Sequence, residues 1–296
     1  MPDTDNPTVQ PCTDTVGLDG WTQTIRPVSG WFDIHLSELW RYRDLTMMFV
    51  RRDFAFIYKQ TVLGPLWYLI QPVLTTLCFM IIFGKVAKIS TDGLPQVLFY
   101  LSGVITWRYF ADCLQNTSRT FIDNAHIFGK VYFPRLTVPL SVVISNLISL
   151  GIQLVLFACF WVYFYVKGAS IHLQAAVILL PLIILIMAAL GLSCGIIVSS
   201  LTTRYRDLAL LVGFGVQLWM YATPVMYPTS IIPQKWQWVI ALNPMASIIE
   251  AIRYVFLGVG TVTLGSIVTS VVTTVVILFI GIVLFSRIEK SFMDTV

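Results

Sequence analysis

Residues 118–141 read SRTFIDNAHIFGKVYFPRLTVPLS, and this stretch decides how the rest of the chain is laid out. Long apolar segments flank it, whereas Arg119, Asp123, His126, Lys130 and Arg135 crowd into it. A short helix fits 121–128, with Gly129 as its stop. Pro134 and Pro139 restart the chain as a new helix. The stretch is therefore a connector that turns outside a bilayer, helical but too short to cross one. A mixed-charge helix of this kind either docks into a soluble partner or is an ordinary loop between spans.

Outward from this connector the chain is membrane-like. Of its 296 residues 57% are hydrophobic and 11% charged, against roughly 25% charged in soluble domains. Charge-free apolar runs of about 20 residues or more give spans at 60–84, 136–166, 173–203 and 259–286. Two further spans carry complications. The one at 94–117 holds Arg108 and Asp112, and the one at 208–227 meets Pro224. Six spans place both termini on one side. Thirteen of the nineteen Lys and Arg then lie with the termini and the connector. Five lie opposite (Lys85, Lys88, Lys167, Lys235, Arg253), and Arg108 stays within a span. The excess of positive charge marks the cytoplasmic side, so termini and connector are cytoplasmic.

Residues 1–30 are polar, and a disordered cytoplasmic tail is expected over 1–35; 287–296 form a second tail. In 36–59, Leu36, Leu39, Trp40, Met47, Val50, Phe54 and Ile57 recur at helical spacing with basic residues between them. This pattern fits an amphipathic helix in the membrane interface, or a solvated helix packed on a partner. The run Arg-Tyr-Arg-Asp-Leu occurs at 41–45 and again at 204–208. Asp207 is placed to start the following helix, where an acid complements the helix dipole.

Several spans carry stripes. Gly64, Tyr68, Gln71 and Thr75 share one face, as do Gly213, Gln217 and Tyr221, which Pro224 continues. Ser141, Ser145, Ser149 and Gln153 form another face, and Gly191, Gly195 and Ser199 a small-residue one suited to close helix contact. The serine and glycine stripes read as packing. The two with Gln and Tyr read as either packing or the wall of a polar passage. Arg108 lies about 21 Å into its span. A charge at that depth is costly and marks a functional site unless it snorkels to the headgroups.

Residues 231–257 are apolar yet fall outside the spans. Pro233 opens a helix ending at Leu242; Asn243 caps a second, with Pro244 at its first position and Gly258 past its end. Trp236, Trp238 and Tyr254 suit an interface. Two short apolar helices beside a Pro-broken span predict a re-entrant outer hairpin.

Some chemistries are excluded. Gly84-Lys85 and Gly129-Lys130 are each followed by valine, so no phosphate-binding loop is present. His35, His126 and His172 are scattered, which leaves no metal site or catalytic triad. The five cysteines have no disulfide or ligand spacing and read as small buried hydrophobes. No cofactor and no nucleic acid is expected on this chain.

Four runs carry a resemblance: NAHIFGKVYFPR at 124–135; YKQTVLGPLW at 58–67 followed by Gln71-Pro72; Arg204-Tyr-Arg-Asp207; and PVMYP at 224–228 followed by Leu242-Asn-Pro244. Together they resemble the membrane subunits of type-2 ABC exporters for polysaccharide and teichoic acid, and among these most nearly the Wzm-type O-antigen permeases. The resemblance covers 36–292. It implies an all-α polytopic membrane protein of six transmembrane helices in the cell inner membrane. With these go an N-terminal interfacial helix, a cytoplasmic coupling helix at 121–130 and an outer gate hairpin at 231–257. It also implies a homodimer with two copies of an ATPase subunit, which would hold ATP and Mg, and a lipid-linked polysaccharide as cargo. On that basis Phe121, Asp123, Asn124, His126 and Lys130 are expected to couple to the ATPase. From the polar and aromatic stripes and the charge within a span, rather than from the resemblance, Tyr68, Gln71, Trp107, Arg108, Gln217 and Tyr221 are expected to line the channel. Pro233, Trp236, Asn243 and Pro244 are assigned to the gate. Arg51, Arg52 and Lys59 lie where a lipid diphosphate would be captured, or where membrane lipids of negative charge would gather.

Overall fold

The computed structural model describes residues 36–59, 63–128, 130, 133–202, 207–260 and 262–292; among them every regular element is helical. The expected N-terminal helix is two, α1 (Leu36–Arg41) and α2 (Arg43–Lys59), broken at Tyr42. α3 (Trp67–Phe79) runs on through a π-helical stretch, Met80–Val86. Pro72 lies inside α3, where it has no N–H to offer the Tyr68 carbonyl. The tail at 1–35 and the motif at 204–206 lie outside the described residues.

The axis of the molecule is α4 (Gln96–Ser118). Leu98, Tyr100, Phe110 and Cys113 on it are fully buried, and α3 packs on it with the later helices Thr137–Val166, Leu180–Thr202, Leu208–Ala222 and Pro244–Leu257. α4 is enclosed on most sides, and its charged residues Arg108 and Asp112 lie on the side left partly open. The connector follows as two single turns, α5 (Thr120–Asp123) and α6 (Ala125–Phe128), rather than one helix. They break at Asn124, whose Nδ2 donates to the Thr120 carbonyl at 3.0 Å. A short amide side chain that bonds the backbone in this way competes with helix propagation.

α7 (Thr137–Val166) and α8 (Leu180–Thr202) are the longest contacts of the axis. Small residues let α8 approach: a Cβ at Gly195 would lie 2.5 Å from that of Thr117, and one at Gly191 2.8 Å from that of Cys113. Ser141, Ser149 and Gln153 of α7 are buried in the bundle, as expected of a packing stripe. α9 (Leu208–Ala222) starts directly after Asp207. α10 (Gln234–Leu242) and α11 (Pro244–Leu257) meet at 98° and form the hairpin. α12 (Leu264–Phe292) packs on α8 and stays helical through most of the expected C-terminal tail.

Length and apolarity do not give six spans among the described residues. Four helices meet both, at Trp67–Val86, Thr137–Val166, Ala175–Thr202 and Gly265–Ser286, and the bent hairpin pair is a fifth if taken as one. α4 is long enough but interrupted by charge. The 15 residues of α9 reach only about 22 Å, short of a hydrocarbon core of about 30 Å. The cysteines also differ from expectation. Cys113 is buried, but Cys78 and Cys159 face outward from the bundle.

Candidate functional site

Three places carry polar chemistry. The first is the open side of α3 and α4. Arg108 Nη2 donates to Gln71 Oε1 at 2.6 Å, and its Nε lies 3.4 Å from Asp112 Oδ2, an ion pair not aligned as a hydrogen bond. Gln71 is exposed, Tyr68 half-buried, and the Arg108 and Asp112 side chains are partly open. The guanidinium is thus paired across two helices rather than extended to a surface. On α9, Gln217 and Tyr221 are exposed. Trp107 departs from expectation. It is 4% exposed and packs edge-on against Trp219, beside Phe110, so it belongs to the core and lines no open face.

The second place is the connector. Phe121 stacks on Phe285 of α12 at 5.2 Å and packs on Phe128, which meets Phe133; Phe49 of α2 meets Phe133 in turn. Each such pair is worth about 1 kcal/mol. The cluster therefore pins the connector to α2 and to the end of α12. Phe121 and Asn124 point inward and do not present a docking surface. Ile122, Asp123 and Lys130 point outward, so the connector exposes an isoleucine beside its charges. The His126 and Lys59 side chains lie outside the described residues. Arg51 is exposed. Arg52 is held: it pairs with Asp53 at 2.9 Å, donates toward Asn124 Oδ1 at 3.5 Å and lies over Phe49. Arg52 is thus tied to the connector.

The third place is the hairpin end. Pro233 precedes α10, and Trp236 and Trp238 on it are exposed. Asn243 accepts from the Met245 amide at 3.1 Å and donates to Thr223 Oγ1 at 2.9 Å, so one side chain caps α11 and ties it to the end of α9. Pro244 is buried, and Gly258 closes α11 in the left-handed conformation, φ 73°. The residue that sequence missed is Arg253. Counted as an outer charge, it is 2% exposed. Its guanidinium donates to the Pro224 and Val225 carbonyls at 2.8 Å each and to Glu250 Oε1 at 3.3 Å. The irregular backbone after α9 leaves those carbonyls without helical donors, and Arg253 satisfies them. A charge three residues after a glutamate in an apolar helix was the available signal.

Among the described residues no three of His, Cys, Asp and Glu gather as a metal site requires. The ABC-2 type transporter family matches residues 44–257. The chain is 30% identical over 255 residues to the O-antigen export system permease protein RfbA of Klebsiella pneumoniae, covering 85% of this chain and 94% of that protein. It is 27% identical over 267 residues to the protein of the same name from Myxococcus xanthus, covering 88% and 98%. It is 22% identical over 238 residues to the polysialic acid transport protein KpsM of Escherichia coli, covering 79% and 89%. With a bundle of apolar helices and a family match that spans most of its length, the chain belongs to the ABC-2 type transporter family.

Proposed function

We propose that this chain is the membrane subunit of an ATP-driven exporter whose two copies enclose a passage for a lipid-linked polysaccharide such as O-antigen. Membership of a transporter family makes it a transport component rather than an enzyme, and its apolar helices are those of a multi-pass membrane protein. The observation that carries the reading is the open polar face of Tyr68, Gln71, Arg108 and Asp112. Acyl chains offer an ion pair no hydrogen bonds, and charge within a span turns to a bundle interior or a water-filled cavity. A second copy across a twofold axis would convert this face, with Gln217 and Tyr221, into a wet wall.

In this reading α4 and α9 also cross the bilayer, which makes six spans with both termini cytoplasmic. Ile122, Asp123 and Lys130 meet a separate ATPase chain, which holds ATP and Mg. The hairpin α10–α11 closes the passage at rest. The relatives named for O-antigen export support that cargo. The relative named for polysialic acid transport supports a second reading, capsular polysaccharide, and teichoic acid is a third. Affinity purification of the chain from its native membrane tests the assignment. An ATPase chain and a diphosphate-linked polyprenyl glycan are expected in the eluate by mass spectrometry; an eluate with neither would overturn it.

A further inference from the structure

Resting on that reading of the cargo, we propose that the hairpin end holds a binding site for one sugar ring, with Glu250 as its hydroxyl acceptor. A cavity of about 300 Å³ lies between the turn at Thr229–Ile231, α10, α11 and the start of α12. Its polar lining is Ser230, Gln237, Ser247, Glu250, Thr263 and Ser266 with Thr229, which is already engaged, and apolar side chains make the rest. None of Tyr68, Gln71, Gln217 and Tyr221 lines it, so it is separate from the polar face of α3 and α9.

The bonding inside the cavity selects the ligand. Thr263 and Ser266 are committed to each other: the Ser266 amide donates to Thr263 Oγ1 at 3.2 Å and the Ser266 hydroxyl to the Thr263 carbonyl at 2.8 Å. Ser230 donates outward to Asp92 at 3.0 Å. Gln237 donates toward the Ile232 carbonyl at 3.4 Å, and among the described residues no donor reaches its amide oxygen. Glu250 is 7% exposed; Oε1 accepts from Arg253, and among the described residues no donor reaches Oε2. Gln237 and Glu250, each with such an acceptor oxygen, thus line one space with Ser247 and an apolar wall, and Glu250 Oε2 lies beside Gly260. An anion would meet the carboxylate, and an apolar molecule would leave Oε2 unpaired at a cost. A ring with several hydroxyl donors and a C–H face answers both. The volume is at the lower end of small-molecule sites, which suits a single ring rather than a chain.

The test uses the full-length protein in phosphatidylcholine nanodiscs and saturation-transfer NMR. The probes are methyl α-mannopyranoside and methyl α-galactopyranoside, with glycerol standing for a lipid headgroup diol. Transfer to ring protons is expected. It should fall about tenfold in Glu250→Gln and in Ala241→Phe, and glycerol should show little. Ala241→Phe fills the cavity from an exposed position of α10 and leaves the Glu250–Arg253 pair in place, so the test survives if Glu250→Gln unfolds. Unchanged ring transfer in both variants would overturn the site. Glycerol labelled as strongly as the pyranosides, and lost in the same variants, would overturn the sugar assignment. Export with no sugar bound here would sink this inference alone; sugar bound here in a protein that exports no glycan would sink the transport reading instead.

Discussion

Arg253 lays its guanidinium over the ring of Phe99, 3.9 Å from its centroid, and so fastens the hairpin to the central helix α4. The same group holds the Pro224 and Val225 carbonyls and the carboxylate of Glu250. Removing it would strand a buried carboxylate and two buried carbonyls. Arg253→Met is expected to cost roughly 3 kcal/mol or more and to lower the thermal unfolding midpoint by several degrees. Arg253→Lys should recover only part of this, because an ammonium cannot fork to two carbonyls. A lysine variant as stable as the parent would contradict the clamp.

The approach of α8 to α4 rests on absent side chains. Gly195→Val should separate the helices and reduce the folded yield in membranes, since the new atoms would overlap Thr117. Gly151→Ala is the control, because nothing lies within 4 Å of its added carbon. Fluorescence-detected size-exclusion of both variants makes the comparison, and equal yields would mean that α8 has freedom to shift.

The two arginines of α2 should differ. Arg52 is already engaged by Asp53 and Asn124, while Arg51 is exposed. Arg51→Ala should weaken binding of a polyprenyl diphosphate to the purified protein more than Arg52→Ala does. Arg52→Ala should instead loosen the connector, read as altered ATPase stimulation. A loss for Arg51→Ala that is equal for phosphatidylglycerol would leave only attraction to anionic lipid.

Accessibility of introduced cysteines tests the passage. The background must first lose Cys78 and Cys159, which face outward. Cysteines at Tyr68 and Gln217 should then react with a water-soluble thiol reagent, and faster during transport. One at Ser199, buried between helices, should react slowly throughout. The reverse pattern would place the passage on other helices.

Much of the fold was legible because its signals are local. Pro233, Asn243-Pro244 and Gly258 mark the hairpin ends that the structure has. The four apolar helices declare themselves by composition. What was hidden depends on distant partners. Arg108 meets Gln71 from 37 residues away, and Arg253 meets carbonyls 28 and 29 residues back. Neither pairing leaves a periodic trace, so one arginine read as a lone charge and the other as an outer one. Phe121 and Trp107 read as functional by position, yet packing against Phe285 and Trp219 turns both inward. The span count is hidden for a related reason: α4, packed by neighbours on most sides, carries a charged pair, and composition alone does not mark it as a span.

In the proposed function this chain turns ATP-driven motion at its connector into export of a polysaccharide. Depleting it in its native cell and labelling surface glycan tests that most directly. Surface polysaccharide should disappear while its lipid-linked form accumulates inside. The parent chain should restore it, and an Asp123→Ala/Lys130→Ala variant should insert and bind the ATPase yet restore little. Surface polysaccharide undiminished after depletion would contradict the account.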